Sequence, residues 1–139
     1  MNQAFVDTWA WVALVDKKDG DHERAKSTNK KLLDQGYIFV TSNFVFSETV
    51  TSLRYRVNHA AAIKFRQLLN ELVDGGLVKL LRITDAHEKE AWQIFEKYSD
   101  QDFSYVDCTS FALMKSLTLH EAFTDDHHFR IMGFSTHAS

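Results

Sequence analysis

The chain has 139 residues, 45% of them hydrophobic and 25% charged, with a formal net charge of −3 at pH 7. This length and composition suit one folded domain with a sizeable core and argue against disorder. Without an overall positive charge, any nucleic-acid binding must use a local basic patch. The single cysteine, Cys108, excludes an internal disulfide and favours a reducing cytoplasm. No targeting segment is visible, and no apolar stretch approaches the ~20 residues of a membrane helix.

Short apolar runs alternate with helical patterns along the chain. The predicted strands are residues 4–6, 37–40, 77–81, 121–124 and 134–136. Helices are predicted from Thr8, over about 22–34, as a pair within about 44–73, after Thr84, from Ser104 to about 117, and as a turn over 126–131. Strands that alternate with helices indicate an α/β fold with a parallel sheet covered by helices on both faces. The helical pair at about 44–73 is the least bound to the sheet and is expected to form an arm.

Four acidic residues lie at the edges of apolar segments and are the candidates for an active site: Asp7, Glu48, Asp107 and Asp126. Asp7 and Asp126 follow the carboxyl ends of predicted strands, where parallel sheets bind their ligands. Carboxylates that converge repel one another and raise one another's pKa. A hard divalent cation resolves that conflict because it prefers oxygen ligands and neutralises the excess charge.

Each of these acids also has a simpler structural explanation. Asp7 could cap the helix that follows it, and Asp126 could cap the turn before Phe129. Ser104 and Asp107 fit the capping-box pattern [ST]-x-x-[DE]. Glu48 lies on a largely apolar helix, although a surface glutamate is the commonest kind. Taken singly the signals are weak, and only their order along the chain makes them informative.

That order resembles the motif order of PIN-domain ribonucleases, most of all the single-domain VapC-type toxins of type II toxin–antitoxin pairs. The matching segments are Phe5–Thr8, Thr41–Asn43 with Glu48, Asp102–Cys108 and Phe123–Phe129. The resemblance spans Phe5 to Phe134, and its most specific part is a Ser-x-x-Asp helix followed by Thr-x-Asp-x-x-Phe.

The resemblance implies a three-layer α/β/α sandwich, a single PIN domain over residues 1–139 and a Mg²⁺- or Mn²⁺-dependent endoribonuclease. It places the catalytic and metal-binding positions on Asp7, Glu48, Asp107 and Asp126. The doubled acid at Asp125 and Asp126 leaves the fourth position open, and the spacing to Phe129 favours Asp126. Polar residues that could orient the site are Thr8, Ser42, Asn43, Asp102, Thr124 and Asp125. The resemblance also implies an antitoxin partner and favours a homodimer.

Phosphodiester cleavage needs charge neutralised on a phosphate oxygen and a water made nucleophilic, and one or two Mg²⁺ ions on carboxylates can do both. We expect Asp7 and Asp107 to bind metal directly, with Glu48 and Asp126 acting through water. A basic rim for RNA phosphates is predicted from Arg54 and Arg56, with Lys64 and Arg66, although a solvated helix face fits equally well.

Other functions are open at this point. Zinc is disfavoured because the adjacent His127 and His128 should point in different directions from a helix. A flavodoxin-like signalling domain would need an acidic pair after its first strand, where only Asp7 stands. A housekeeping PIN nuclease in RNA processing and a non-catalytic PIN-like interaction module are the alternatives within the fold. Apolar surface for a partner helix is expected at Phe44, Val45 and Leu53.

Overall fold

The apolar runs form the strands of a central sheet, in a computed structural model that describes residues 2–139. The strands are β1 (Gln3–Val6), β2 (Ile38–Ser42), β3 (Val78–Leu81), β4 (Glu121–Phe123) and β5 (Ser135–His137). Their order is β3-β2-β1-β4-β5, and each neighbouring pair in residues 2–139 is parallel. The central strand β1 buries Ala4, Phe5 and Val6, as expected where helices cover both faces of a sheet.

Helices follow the strands and cover the sheet. They are α1 (Thr8–Val15), α2 (His22–Asp34), α3 (Asn43–Arg56), α4 (His59–Asp74), α5 (Asp85–Lys97), α6 (Tyr105–Ser116) and α7 (His127–Ile131). The predicted sandwich with a central parallel sheet is confirmed. Within residues 2–139, no helix combines the length and apolar character that crossing a membrane requires.

The largest difference from the predicted elements is at the end of β2. The sequence predicts a strand that stops at Val40, but β2 continues because Thr41 and Ser42 pair with Leu80 and Leu81 of β3. The buried Thr41 hydroxyl donates to the Val6 carbonyl at 3.0 Å, so a polar residue is accommodated inside the sheet. This extension carries the start of α3 to the edge of the sheet where β1 ends.

Side-chain caps mark the starts of several helices in a chain that contains no proline. Ser42 accepts a hydrogen bond from the Val45 amide at 3.1 Å at the start of α3. Ser104 accepts one from the Asp107 amide at 3.0 Å, and Asp107 Oδ2 accepts one from the Ser104 amide at 3.1 Å. This reciprocal pair is a capping box, and it fixes the position of Asp107 in the first turn of α6.

The helical arm predicted at about 44–73 corresponds to α3 and α4. Phe65 of α4 packs on Trp11 of α1, with ring centroids 5.6 Å apart. Val45 and Leu53 of α3 are both 0% exposed. The expectation that they offer a surface to a partner helix is wrong, because they lie on the face of α3 that packs into the core. The domain boundaries of 1–139 stay a prediction.

Candidate metal and active site

The first and fourth acidic motifs meet where β1 and β4 end side by side. Val6 pairs with Phe123, and the Asp7 amide donates to the Phe123 carbonyl at 3.3 Å. The Thr124 hydroxyl donates to Asp7 Oδ2 at 3.0 Å and accepts from the Asp126 amide at 3.0 Å. One threonine therefore joins the Asp7 carboxylate to the loop that carries Asp126.

Asp126 and its neighbour Asp125 face different surroundings. Asp126 Oδ1 accepts from the His128 amide at 2.9 Å, which caps α7. Asp125 Oδ2 instead accepts from Arg24 of α2 at 2.9 Å, in an ion pair on the surface. Arg24 also pairs with Asp21 at 2.8 Å and stacks on the Trp9 ring at 5.1 Å. The two successive carboxylates are therefore held in different places, and Asp126 is the one beside Asp107 and His128.

Burial and mutual repulsion raise the pKa of the two innermost acids. Asp7 is 6% exposed, and burial, followed by the charge of Asp107, raises its pKa to about 7. The Thr124 hydroxyl opposes that rise, and the charge of Glu48 adds to it. Burial also raises the pKa of Asp107 to about 6, with Asp126 and Glu48 adding to the rise. Glu48 and Asp126 each raise the pKa of at least one of these two acids, so the four form a single cluster.

Glu48 enters this cluster from α3. It is half-buried and lines a groove whose other walls come from α3 and α6: Asn43, Phe44, Ser47, Thr51, Ser52 and Val106. The extended β2 places the start of α3 beside the end of β1, which brings the Glu48 side chain toward Asp7. The four sequence-predicted acids are thus brought together by the ends of β1 and β4, the second turn of α3 and the first turn of α6.

The donor set suits a hard divalent cation. The converging groups are carboxylates, they carry excess negative charge, and they share a partly buried edge of the sheet. Mg²⁺ and Mn²⁺ prefer oxygen ligands, and a bound ion would offset both the burial of charge and the repulsion that raise these pKa values. Residues able to hold such an ion are therefore present.

The capping explanations have mixed outcomes. Asp7 occupies the N-cap position of α1, but its side chain makes no capping hydrogen bond within the described residues. Capping therefore does not explain Asp7. Asp107 and Asp126 do cap α6 and α7, and they also face the acidic cluster. For these two residues the structural role and a role in the cluster coexist.

The polar residues expected to orient the site differ in their partners. Thr124 contacts Asp7 directly, as described above. The Thr8 hydroxyl is buried next to Asp7 with no hydrogen-bond partner among residues 2–139. Ser42 caps α3, and Asn43 Oδ1 accepts from the Ile83 amide at 2.7 Å, which ties α3 to the segment after β3.

The three remaining candidates lie in other parts of the surface. Asp102 is exposed and lines a groove with Trp92 and Phe95 of α5. Arg56 pairs with Asp19 at 3.1 Å. Arg54 lines a second groove, between α3 and α4, with His59 and Arg66.

His128 is a residue that sequence reasoning missed. The rings of His127 and His128 lie 4.3 Å apart, so the expectation that they point in different directions is wrong. Ligand atoms of Asp126, His127 and His128 all lie within 4.8 Å of one another. Adjacent residues leave a helix about 100° apart, but imidazole rings are long enough to tilt toward each other at a helix start. The pattern Asp-x-His at the fourth acid was the available signal.

Comparison with known proteins gives a consistent set of matches. A family model described as PIN domain matches residues 4–135. The 23S rRNA-specific endonuclease VapC20 of Mycobacterium tuberculosis strain H37Rv is 32% identical over 130 residues, 94% of each chain. The crystal structure of M. tuberculosis VapC20, described as a sarcin-ricin loop cleaving toxin, has a TM-score of 0.82 at 31% identity and covers 94% of this chain and 95% of that one.

Two further solved structures have low sequence identity to this chain, and their similarity shows the fold only. The VapBC2 structure from Rickettsia felis, bound to a promoter DNA fragment, has a TM-score of 0.68 at 11% identity and covers 96% of both chains. The FitAcB structure from Neisseria gonorrhoeae has a TM-score of 0.64 at 16% identity, covering 96% of this chain and 95% of that one.

Proposed function

This chain belongs to the PIN-domain family, and we propose that it is a divalent-metal-dependent endoribonuclease and the toxin of a toxin–antitoxin pair. The observation that carries the proposal is the convergence of Asp7, Glu48, Asp107 and Asp126, with the pKa values of Asp7 and Asp107 raised to about 7 and about 6. The similarity to VapC20, named as a 23S rRNA-specific endonuclease, supports RNA as the substrate. Large-subunit ribosomal RNA is accordingly the first substrate to test.

In this proposal two of the acids bind the metal ion directly and the other two act through water. A bound Mg²⁺ or Mn²⁺ ion would neutralise charge on a phosphate oxygen and make a water nucleophilic at neutral pH. Asp7 and Asp107 hold the ion directly, since they are the two acids whose carboxylates are most disfavoured without it. Glu48 and Asp126 act through water or orient the attacking water. Thr124 fixes the rotation of the Asp7 carboxylate by donating to Oδ2 at 3.0 Å.

RNA would approach along α3. The groove beside Glu48 carries the hydroxyl groups of Ser47, Thr51 and Ser52, which can donate to phosphate and ribose oxygens. Arg54, at the far end of the same helix, supplies a cation for the phosphate backbone. Arg56 is held by Asp19, whose side chain is only 9% exposed, and contributes only once RNA displaces that ion pair.

Metal removal tests this function. The purified protein is expected to cleave RNA containing a large-subunit ribosomal fragment in Mn²⁺ or Mg²⁺, and to stop in excess EDTA. Added Mn²⁺ should restore cleavage, because the carboxylates need a cation to bind the phosphate. Gel analysis of end-labelled RNA measures the effect, and an Asp7→Asn preparation purified in parallel controls for a contaminating nuclease. Equal cleavage with and without the chelator would remove the metal mechanism.

A partner protein is expected to inhibit the enzyme by placing an arginine against the acidic cluster. Without metal the four acids form a strongly negative site, and a guanidinium can satisfy carboxylates bidentately. Co-expression with the product of the neighbouring gene should give a complex without RNase activity. A partner in which that arginine is replaced by alanine is the matched control and should inhibit less.

The same experiment separates a toxin from a housekeeping nuclease. A chain that binds no neighbouring gene product, and whose expression leaves growth unaffected, would favour housekeeping RNA processing. The proposal also places the protein in the cytoplasm, where the RNA substrate lies. We further propose a homodimer, because the exposed Trp92 and Phe95 offer apolar surface for self-association. Light scattering of the purified chain measures the oligomeric state.

A further inference from the structure

The His128 ring lies inside the acidic cluster. Its side chain is 14% exposed and packs edge-on against Phe103, with ring centroids 5.1 Å apart. Its Nδ1 atom lies 3.1 Å from Asp126 Oδ1 and 3.6 Å from Asp107 Oδ2. The packing against Phe103 and the short α7 hold this nitrogen between two of the four carboxylates.

The Nδ1 atom of His128 makes no hydrogen bond despite these short distances. It is a fully buried polar atom without a hydrogen-bond partner among residues 2–139. A buried nitrogen normally has a partner. The two carboxylates beside this nitrogen form ion pairs only with a protonated ring, so the nitrogen of a neutral ring needs a third group. A cation is the group that a ring nitrogen and carboxylate oxygens can share as ligands.

The distances agree with ligands of one ion. Divalent ions of this size bind nitrogen and oxygen at about 2.0–2.2 Å. Two ligands on one such ion are then about 3 Å apart at a right angle and about 3.4 Å apart at a tetrahedral angle. The observed separations of 3.1 Å and 3.6 Å from Nδ1 to the two carboxylates fall near these values.

The geometry points to His128 Nδ1 as a nitrogen ligand of the divalent ion, with Asp107 and Asp126 as oxygen ligands, and to a site that binds Mn²⁺ in preference to Mg²⁺. In this inference Asp126 binds the ion directly and not through water, which leaves the water-mediated role to Glu48. This inference rests on the proposed metal-dependent function and adds the ion's identity to it. Both ions prefer oxygen ligands, but Mg²⁺ keeps oxygen and water ligands almost exclusively, whereas Mn²⁺ belongs to the first-row series of metals that also bind imidazole nitrogen. A site with four acids and no nitrogen has no such reason to discriminate.

His127 provides the matched control. Its side chain is 65% exposed, and its Nδ1 atom is 3.9 Å from Asp126 Oδ1. The two histidines are adjacent and of the same type, so their variants differ mainly in burial and position. His128→Phe keeps a ring against Phe103 without the nitrogen, and His128→Asn is a smaller second variant should the first fail to fold.

Metal binding to the purified chain, without RNA, tests the inference. Calorimetry is expected to show that His128→Phe and His128→Asn weaken Mn²⁺ binding on the order of tenfold or more, and Mg²⁺ binding by less than about threefold. Pulsed electron paramagnetic resonance should detect ¹⁴N coupling to Mn²⁺ in the wild type and in His127→Phe, and lose it in the His128 variants. Thermal unfolding in EDTA establishes that each variant is folded.

Four results would overturn the inference. Equal weakening of Mn²⁺ and Mg²⁺ would mean that His128 supports the site without binding the ion. Loss of nitrogen coupling in His127→Phe would mean that the nitrogen ligand is His127 and not His128. Wild-type protein that cleaves RNA in Mn²⁺ but shows no nitrogen coupling would leave the proposed function standing and remove the ligand. Wild-type protein that binds no divalent ion would remove both.

Discussion

Asp7→Asn is expected to abolish RNA cleavage while stabilising the metal-free protein. In the proposed mechanism the substitution removes a charge that would hold the ion, so cleavage should fall by roughly 10²–10³-fold or more. Asparagine keeps the size of the side chain and an oxygen that can accept from Thr124. It also removes a charge that is disfavoured first by its burial and then by repulsion from Asp107 and Glu48. Each unit of raised pKa corresponds to about 1.4 kcal/mol, so relief on the order of a few kcal/mol is expected at neutral pH.

The same charge makes the stability of the metal-free protein depend on pH. The folded pKa of Asp7 is about 7, above its ordinary value of 3.8, so between these values the folded state binds more protons than the unfolded state. The free energy of unfolding therefore falls as pH rises from about 4 to about 7. Asp107, with a pKa of about 6, adds to the fall at the lower end. Asp7→Asn should flatten this profile.

Urea unfolding in EDTA between pH 4 and pH 8 measures both effects, with RNA cleavage in Mn²⁺ assayed on the same preparations. Asp125→Asn serves as the control for loss of one surface charge. A metal-free Asp7→Asn protein that unfolds well below the wild type at pH 8 would show that Asp7 stabilises the fold, as a helix cap would.

Asp126→Asn is expected to reduce cleavage by roughly 10²-fold or more, and Asp125→Asn by only a few fold. Asp126 lies beside Asp107 and the His128 ring, whereas Asp125 is bound by Arg24 at 2.9 Å. Initial rates on one end-labelled RNA, at saturating Mn²⁺, measure the ranking. The ion pair of Asp125 is more than one-third exposed on both sides, so its loss should cost no more than about 1 kcal/mol.

Arg24→Ala sharpens this comparison. It removes the partner of Asp125 and leaves both acids in place, so a loss of cleavage in Arg24→Ala alone would mean that the ion pair positions the loop. The opposite ranking of the two aspartates would mean that Asp125 is the fourth acid and that spacing to Phe129 is a poor guide.

Local signals were enough for the fold. Caps at Ser104 and Thr84, glycine after α2 and α4, and continuous apolar runs gave the element order and nearly all boundaries. The predicted strand ends at Val40 because the polar residues Thr41 and Ser42 follow a continuous apolar run. Only the pairing with β3 and the bond from the Thr41 hydroxyl to Val6 show that they belong to the sheet.

The sequence indicates which residues belong to the candidate site, but it does not indicate the directions in which their side chains point. Strand order places Asp7 and Asp126 at one edge, but the side toward which each carboxylate turns depends on distant groups. Arg24 binds Asp125 from 101 residues away, which no local pattern reveals. His128 was missed for the same reason, since Phe103 and Asp107 come to it from another part of the chain. Val45 and Leu53 were assigned to a surface because a helix pattern does not say which face is covered.

The capping box at the start of α6 makes Asp107 a less suitable position than Asp7 for an inactivating substitution. Asp107 holds the Ser104 amide at 3.1 Å, so any change there disturbs a helix end and the cluster together. In an RNA complex of such a variant, the effect of the disturbed helix end could not be separated from the effect of the lost carboxylate. Asp7 has no such capping role, because its side chain makes no capping hydrogen bond to α1. The Asp7→Asn chain is therefore the form in which to trap uncleaved RNA. Because the proposed toxicity depends on cleavage, it is also the form to express at a high level when testing for the proposed partner.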